Sequence, residues 1–282
     1  MNNTIIKAPS ISIKKFEDLF IEMTSQNCNL RCKHCFKEFG EKKVKDFIST
    51  DKIKHSLGLL DKSELQFIHL TGAEPMLHNE FNQILRLCLK YSSVIIHTNA
   101  LNINDKKARF LRKVEDENTL DNEIIFMISI DHYDEKTNDE LRGRGAYRKA
   151  VHALQSLIKY NFNPILSIVN YWNVEENELK TGFRMLCDSI NFETTDINFK
   201  IIPLMQKEKY CDLKSDIDLN AVQTECSRGR ILTINGIFTC PMLANDNRGR
   251  CGNDFDDYTK RNYLETAYCS QCVNNNKSLF CL

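Results

Sequence analysis

Short apolar segments alternate with amphipathic segments along the first two hundred residues of the chain. Each apolar segment has the length of a β-strand, and the segments between them place apolar residues at helical spacing. The predicted strands cover residues 19–21, 65–70, 94–97, 124–130, 165–169 and 196–202. The predicted helices cover residues 50–60, 79–91, 104–115, 146–160 and 175–188. This alternation predicts an α/β fold with a parallel sheet, and six strands fit a partial, open (β/α)6 barrel.

The pattern assigns some residues to the core and others to the periphery. Cys88 and Cys187 lie on the apolar faces of their predicted helices, so we expect both to be buried core residues rather than ligands. Asn79 is the expected N-cap of the second helix. Residues 1–15 show no periodicity and are expected to be a frayed lead-in.

The pattern changes at about residue 205, where a polar linker begins. Residues 231–234 and 237–239 are predicted to form a hairpin, with Asn235-Gly236 as a type I′ turn. The following segment lacks long apolar periodicity but is rich in cysteine, so metal ligation would compensate for a small core. The predicted organisation is a core domain over residues 16–205, a linker over 206–225 and a cysteine-rich module over 226–282.

Composition narrows the possible environments of the protein. The chain has 38 Lys and Arg against 38 Asp and Glu, so no net field draws it to nucleic acid or to an anionic membrane. No apolar run approaches the roughly 20 residues of a spanning helix, and the N-terminus lacks the apolar centre of a signal peptide. We therefore expect a cytoplasmic protein. Twelve cysteines in that compartment indicate metal ligands rather than disulfides.

Three cysteines lie close together directly after the first predicted strand. Cys28, Cys32 and Cys35 are spaced four and three positions apart in a polar segment. Thiolates are soft ligands that suit iron–sulfur clusters, zinc or copper(I). No fourth cysteine is near, so three thiols would hold three corners of a four-iron cluster and leave one iron open. A zinc site would need a fourth ligand, and His34 is poorly placed to supply it.

The cysteine spacing and the residues that follow later strands resemble the signature of the radical S-adenosylmethionine (radical SAM) enzymes. Cys28-x3-Cys32-x2-Cys35 follows an apolar strand, and Gly72-Ala73-Glu74-Pro75 follows the next one, where the family has Gly-Gly-Glu-Pro. The resemblance implies a 4Fe-4S cluster whose open iron binds S-adenosylmethionine. It further implies reductive cleavage of this cofactor to a 5′-deoxyadenosyl radical, which removes a hydrogen atom from the substrate.

The resemblance also implies contacts to the cofactor. Gly72, Ala73 and Glu74 would receive the methionine ammonium, and His34 stands where the family has an aromatic residue near the adenine. Thr98-Asn99, followed by Ala100, resembles a Thr-Asn-Gly motif. The resemblance further implies that Ser129 and Asp131 contact the ribose. Arg142 would pair with the cofactor carboxylate. From the residues alone, the alternatives are an ordinary turn at residues 72–75, a strand-end cap for Ser129 and Asp131, and a surface salt bridge for Arg142.

The cysteines of the C-terminal module resemble those of a twitch or shortened SPASM domain, which binds an auxiliary 4Fe-4S cluster. The candidate ligands are Cys226, Cys240, Cys269 and Cys272, and Cys281 could replace Cys226 or leave an iron open. A zinc knuckle is the alternative. Cys211 or Cys251 could serve instead as a hydrogen-atom donor.

The resemblance leaves the substrate open between two classes. Modification of a ribosomally made peptide, by epimerisation or crosslinking, is favoured over oxidation or epimerisation of a small sugar-like molecule. Either reaction would need a reductant such as flavodoxin or ferredoxin. A non-catalytic iron–sulfur or zinc scaffold is the alternative of another class, in which Glu74, Asn99, Asp131 and Arg142 would have no shared purpose.

Overall fold

The computed structural model describes residues 8–37, 39, 46–275 and 278–282. Its strands are β1 (Ser10–Ser12), β2 (Asp18–Glu22), β3 (Phe67–Thr71), β4 (Ser93–Thr98), β5 (Ile124–Ser129), β6 (Ile165–Asn170), β7 (Phe199–Pro203), β8 (Gly229–Thr233), β9 (Gly236–Phe238), β10 (Arg250–Gly252) and β11 (Arg261–Tyr263). Its α-helices are α1 (Thr50–Gly58), α2 (Phe81–Cys88), α3 (Asp105–Asp116), α4 (Glu135–Arg142), α5 (Ala146–Lys159), α6 (Glu176–Ser189), α7 (Glu225–Arg228) and α8 (Ala267–Asn275).

Within the described ranges, nine strands form one sheet in the order β10-β9-β8-β2-β3-β4-β5-β6-β7. The pairs from β8 through β2 to β7 are all parallel, and β9 and β10 add to β8 in antiparallel fashion. The predicted partial (β/α) barrel is therefore confirmed, with β2 to β7 as its six strands. Because parallel strands end at one edge of the sheet, the segments that follow them converge there.

Burial explains why these segments form strands and helices. Leu19, Phe20 and Ile21 in β2 are fully buried, as expected for a strand covered on both faces. Cys88 and Cys187 are buried in α2 and α6, which confirms that they are core residues. None of the described helices is both long and apolar enough to cross a membrane.

Two local expectations were wrong, and one helix was not predicted. Part of the lead-in forms β1, which pairs with β11. Glu80 rather than Asn79 precedes the first residue of α2, and no side chain caps that end. Helix α4 was not predicted, because it lacks an apolar stripe. Its N-cap is Asp134, whose side chain accepts a hydrogen bond from Thr137 N.

The predicted hairpin is confirmed as β8 and β9, but the turn is not type I′. Thr233 pairs with Gly236, so the turn residues are Ile234 and Asn235. Gly236 follows the turn with a φ of +127°. This hairpin was predicted to lie in a separate module, but β8 lies beside β2 in the barrel sheet. The cysteine-rich module is thus joined to the core by a continuous ladder of backbone hydrogen bonds.

Candidate active site and second cysteine centre

A cavity at the carboxyl ends of β2 to β7 brings most of the predicted site residues together. It is lined by the three loop cysteines and by residues that follow four other strands. The predicted residues on its wall are Cys28, Cys32, His34, Cys35, Gly72, Ala73, Glu74, Thr98, Asn99, Ser129 and Arg142. Asp131 is fully buried behind this wall.

Hydrogen bonds hold both ends of the cysteine loop. The Asp46 carboxylate accepts from Thr24 Oγ1 at 2.6 Å, Ser25 N at 2.6 Å and Gln26 N at 2.9 Å, just before Cys28. Lys33 N donates to the carbonyl of Leu141 in α4 at 2.9 Å. Asp46 could not be predicted from the sequence, because a lone acidic residue in a polar segment has no motif to identify it.

The three loop thiols lie on the cavity wall, where burial affects their ionisation. Burial raises the pKa of Cys28 and Cys35 and raises that of Cys32 to about 11, so a cation must displace their protons. Tetrahedral zinc would bring the sulfurs to about 3.8 Å from one another. Among the described residues, no three loop or module cysteines have ligand atoms within 4.8 Å of each other. As placed, the loop thiols therefore do not enclose a single zinc-sized site.

Glu74 is held rigidly at the cavity wall. Its Oε1 accepts from Thr98 Oγ1 at 2.7 Å and from Met76 N at 3.1 Å, and its Oε2 accepts from Asn99 N at 2.9 Å. Burial raises the pKa of this carboxyl above its ordinary value. The carboxylate is thus fixed in a dry position where a cationic ligand group would stabilise its ionised form.

Two residues near Glu74 have unusual backbone conformations. Gly72 has a φ of +125°, and a Cβ there would lie 2.3 Å from the carbonyl oxygen of Thr24. Ala73, by contrast, is not among the residues with positive φ, so alanine is accommodated at this position. Ala100 adopts a φ of 62°, a left-handed conformation that glycine would adopt more easily.

Arg142 and Asp131 form a buried ion pair, with Arg142 Nε 2.6 Å from Asp131 Oδ2 and Nη2 2.8 Å from Oδ1. Val169 N also donates to Asp131 Oδ1 at 3.0 Å, and His34 Nε2 lies 3.4 Å from Oδ2. Asp131 therefore positions Arg142 and does not line the cavity. Burial lowers the pKa of His34, which keeps its imidazole neutral near pH 7. Ser129 does line the cavity.

Part of the cavity wall is apolar. Its side chains come from the end of β7 and the segment after it, from a 3₁₀ turn after β9 and from residues 278–282. They are Ile202, Leu204, Met205, Met242, Leu279 and Phe280. No sequence signal identified them, because they are ordinary apolar residues brought together only by the fold.

A second cavity lies within the cysteine-rich module. Cys226, Cys240, Cys269 and Cys272 all line it, although they come from three separate segments. Burial raises the pKa of Cys226 to about 11 and raises those of Cys240 and Cys272 well above the ordinary value of a thiol. Four thiols around one cavity are the donor set of a fully ligated iron–sulfur cluster and also of a closed zinc site.

Cys281 belongs to neither cavity wall and lies inside the barrel beside Asp18 and His69. His69 is already paired there, with Nε2 3.0 Å from Asp18 Oδ1 and Nδ1 2.9 Å from His97 Nε2. Within the described part of the chain, Cys211 and Cys251 also lie off the active-site wall. Cys211 Sγ is 3.4 Å from Ser270 Oγ in the module.

Comparison with known proteins identifies a family and several relatives. The family model of the radical SAM superfamily matches residues 23–180. Mycofactocin maturase MftC of Mycolicibacterium smegmatis is 26% identical over 152 residues, which cover 53% of this chain and 37% of MftC. The chain spans about a third of the length of the first curated relatives that it matches.

Solved structures share the fold over most of the chain. The structure of anSMEcpe with bound AdoMet has a TM-score of 0.64 at 16% identity and covers 86% of this chain and 78% of its own. Streptococcus suis SuiB bound to precursor peptide SuiA has a TM-score of 0.63 at 16% identity and covers 87% of this chain and 64% of its own. Since the family model matches more than half of the sequence, the chain belongs to the radical SAM superfamily.

Proposed function

We propose that this protein is a radical SAM enzyme that removes a hydrogen atom from a peptide substrate in order to modify it. The observation that carries the proposal is the convergence of the three loop cysteines with Glu74, Asn99 and Arg142 on one cavity. A non-catalytic scaffold would give no reason for these polar side chains, which come from separate strands, to face the same space.

The proposed roles follow from donor chemistry. Cys28, Cys32 and Cys35 would hold a 4Fe-4S cluster, which when bound supplies the single electron for reductive cleavage of S-adenosylmethionine. Glu74 offers its fixed carboxylate to the ammonium group of the cofactor. Arg142 offers a guanidinium to the cofactor carboxylate and keeps its orientation through the ion pair with Asp131.

The remaining cofactor contacts are assigned by position on the wall. Ser129 presents a hydroxyl that can bond the ribose, and His34 presents a neutral imidazole edge to the adenine side. Asn99 Nδ2 lies 3.6 Å from Cys28 Sγ, so it can donate to the sulfur of a bound cluster. Such donors tune the reduction potential of a cluster.

We propose that Cys226, Cys240, Cys269 and Cys272 bind a second 4Fe-4S cluster and that Cys281 does not ligate it. These four thiols share one cavity, and Cys281 lies outside it. The cluster would accept or deliver electrons within the protein, with flavodoxin or ferredoxin as the external reductant. In this proposal the core covers residues 16–205, the linker 206–225 and the auxiliary module 226–282.

A peptide is favoured as substrate over a sugar-like molecule. The apolar wall formed by residues such as Ile202, Met242 and Phe280 can bury an apolar side chain, whereas sugar hydroxyls would lose hydrogen bonds there. Two relatives support this choice, since SuiB was solved with its precursor peptide and MftC is a maturase.

Iron content and cofactor cleavage test the proposal. Anaerobic reconstitution should give about eight irons per chain, falling to about four in a Cys28/Cys32/Cys35→Ala variant. The wild type with dithionite should release 5′-deoxyadenosine, and the triple variant should release none. Cys88→Ala is the matched control, because that buried cysteine lies in α2 and should leave both results unchanged. Iron unaffected by the triple substitution would contradict the proposal.

A further inference from the structure

Glu225 links the second cysteine centre to the segment 278–282. Its side chain is buried and follows Thr224, directly before Cys226. Oε2 lies 3.8 Å from Cys272 Sγ. Oε1 accepts from Ser278 Oγ at 2.6 Å, Leu279 N at 2.5 Å and Phe280 N at 2.8 Å. One carboxylate therefore contacts a proposed ligand on one side and a wall segment on the other.

The segment that Glu225 holds separates the two cavities. Leu279 and Met242 line both the active-site cavity and the four-cysteine cavity, and Phe280 lines the active-site cavity. Lys200 in β7 provides the other anchor, since its Nζ donates to the carbonyl oxygen of Cys281 at 2.7 Å. The wall is thus fixed to the barrel at one point and to the cysteine-rich module at another.

We propose that Glu225 is a positioning residue that couples occupancy of the four-cysteine centre to the shape of the active-site wall. The inference rests on the proposed cluster at Cys226, Cys240, Cys269 and Cys272. Ligation fixes a backbone that thiols alone leave free to relax. Fixing Cys226 also fixes Glu225, and its charge-assisted hydrogen bonds then order Leu279 and Phe280.

Hydrogen exchange read by mass spectrometry tests the coupling on the full chain. Wild type with both centres loaded is compared with Cys240→Ala, which removes a ligand distant in sequence from Glu225. We expect the amides of Leu279 and Phe280 to exchange at least tenfold faster in Cys240→Ala. In a Glu225→Ala background, adding Cys240→Ala should change their exchange less than twofold. If Glu225 had only a structural role, Cys240→Ala would speed exchange by the same factor whether or not Glu225 is present.

Two further variants strengthen the test. Glu225→Gln keeps an acceptor oxygen and should restore part of the protection, whereas Glu265→Gln changes an exposed carboxylate of the same module and should change nothing. If Glu225→Ala fails to fold, Ser278→Ala removes one donor to the same oxygen and should show the same loss of coupling.

The outcomes separate the coupling from the proposed function. Equal exchange of Leu279 and Phe280 in fully loaded wild type and in Cys240→Ala that has lost the iron of the four-cysteine centre would overturn the coupling alone. The coupling would also be overturned if the exchange effects of Glu225→Ala and Cys240→Ala multiplied in the double variant. Absence of iron at the four-cysteine centre of the wild type would overturn both the coupling and the second cluster.

Discussion

Asp131, two residues after β5, holds the guanidinium of Arg142, at the end of α4, through two contacts of 2.6 and 2.8 Å. The pair places a cation on the cavity wall next to the cysteine loop. Arg142 is buried, so it depends on this carboxylate for its charge compensation.

Removing Asp131 should therefore destabilise the protein and weaken cofactor binding. Asp131→Ala leaves a buried charge unpaired, which should lower the free energy of unfolding by about 3–5 kcal/mol. Urea denaturation measures the stability and anaerobic calorimetry the affinity for S-adenosylmethionine. Glu140→Ala removes the exposed partner of Lys33 and should cost no more than about 1 kcal/mol. Equal effects of the two substitutions would contradict this role of the ion pair.

Affinity for S-adenosylmethionine should depend on pH through Glu74. Burial raises the pKa of its carboxyl, so the group loses its charge at a higher pH than an exposed glutamate. As pH rises through the folded-state pKa, Glu74 ionises and the cofactor ammonium gains its partner, so the dissociation constant should fall. Calorimetry at pH 5, 6 and 7 should show this trend in the wild type and a flat profile in Glu74→Gln. A parallel trend in both proteins would assign the dependence to another group.

Gly72→Ala should be strongly destabilising. Its φ of +125° disfavours any side chain, and the new Cβ would lie 2.3 Å from the Thr24 carbonyl oxygen. We expect a loss of at least about 2 kcal/mol in the free energy of unfolding. In Gly58→Ala the added Cβ has no atom within 4 Å, so this control in α1 should stay within about 1 kcal/mol of wild type. Thermal melts of both variants give the comparison.

Single substitutions should separate Cys226 from Cys281 as ligands. Cys226→Ser should remove about four of about eight irons, because it opens the four-thiol centre. Cys281→Ser should retain all of them, since Cys281 lies beside Asp18 and His69 instead. Iron and sulfide analysis after reconstitution decides between them. If Cys281→Ser lost iron and Cys226→Ser did not, Cys281 would be the fourth ligand in place of Cys226.

Most of the barrel and the cofactor side of the site could be predicted from local sequence. The strands are short apolar segments, and residues such as Glu74 and Asn99 follow them directly, so their common edge was predictable. The pairing of Arg142 with Asp131 could not be predicted, because α4 has no apolar stripe and the orientation of this helix depends on packing against α5. The apolar wall likewise depends on contacts between distant segments. The register of the β8–β9 hairpin was missed because Gly236 follows the turn rather than occupying it.

The place of β8 beside β2 has a consequence for synthesis on the ribosome. Asp18 in β2 and Arg228 before β8 are 210 positions apart, yet their side chains meet at 2.6 Å. Until β8 emerges, one edge of β2 has no strand to pair with and can recruit another chain. The auxiliary module is therefore unsuited to exchange as a separate cassette, and a fragment that stops at residue 205 should aggregate.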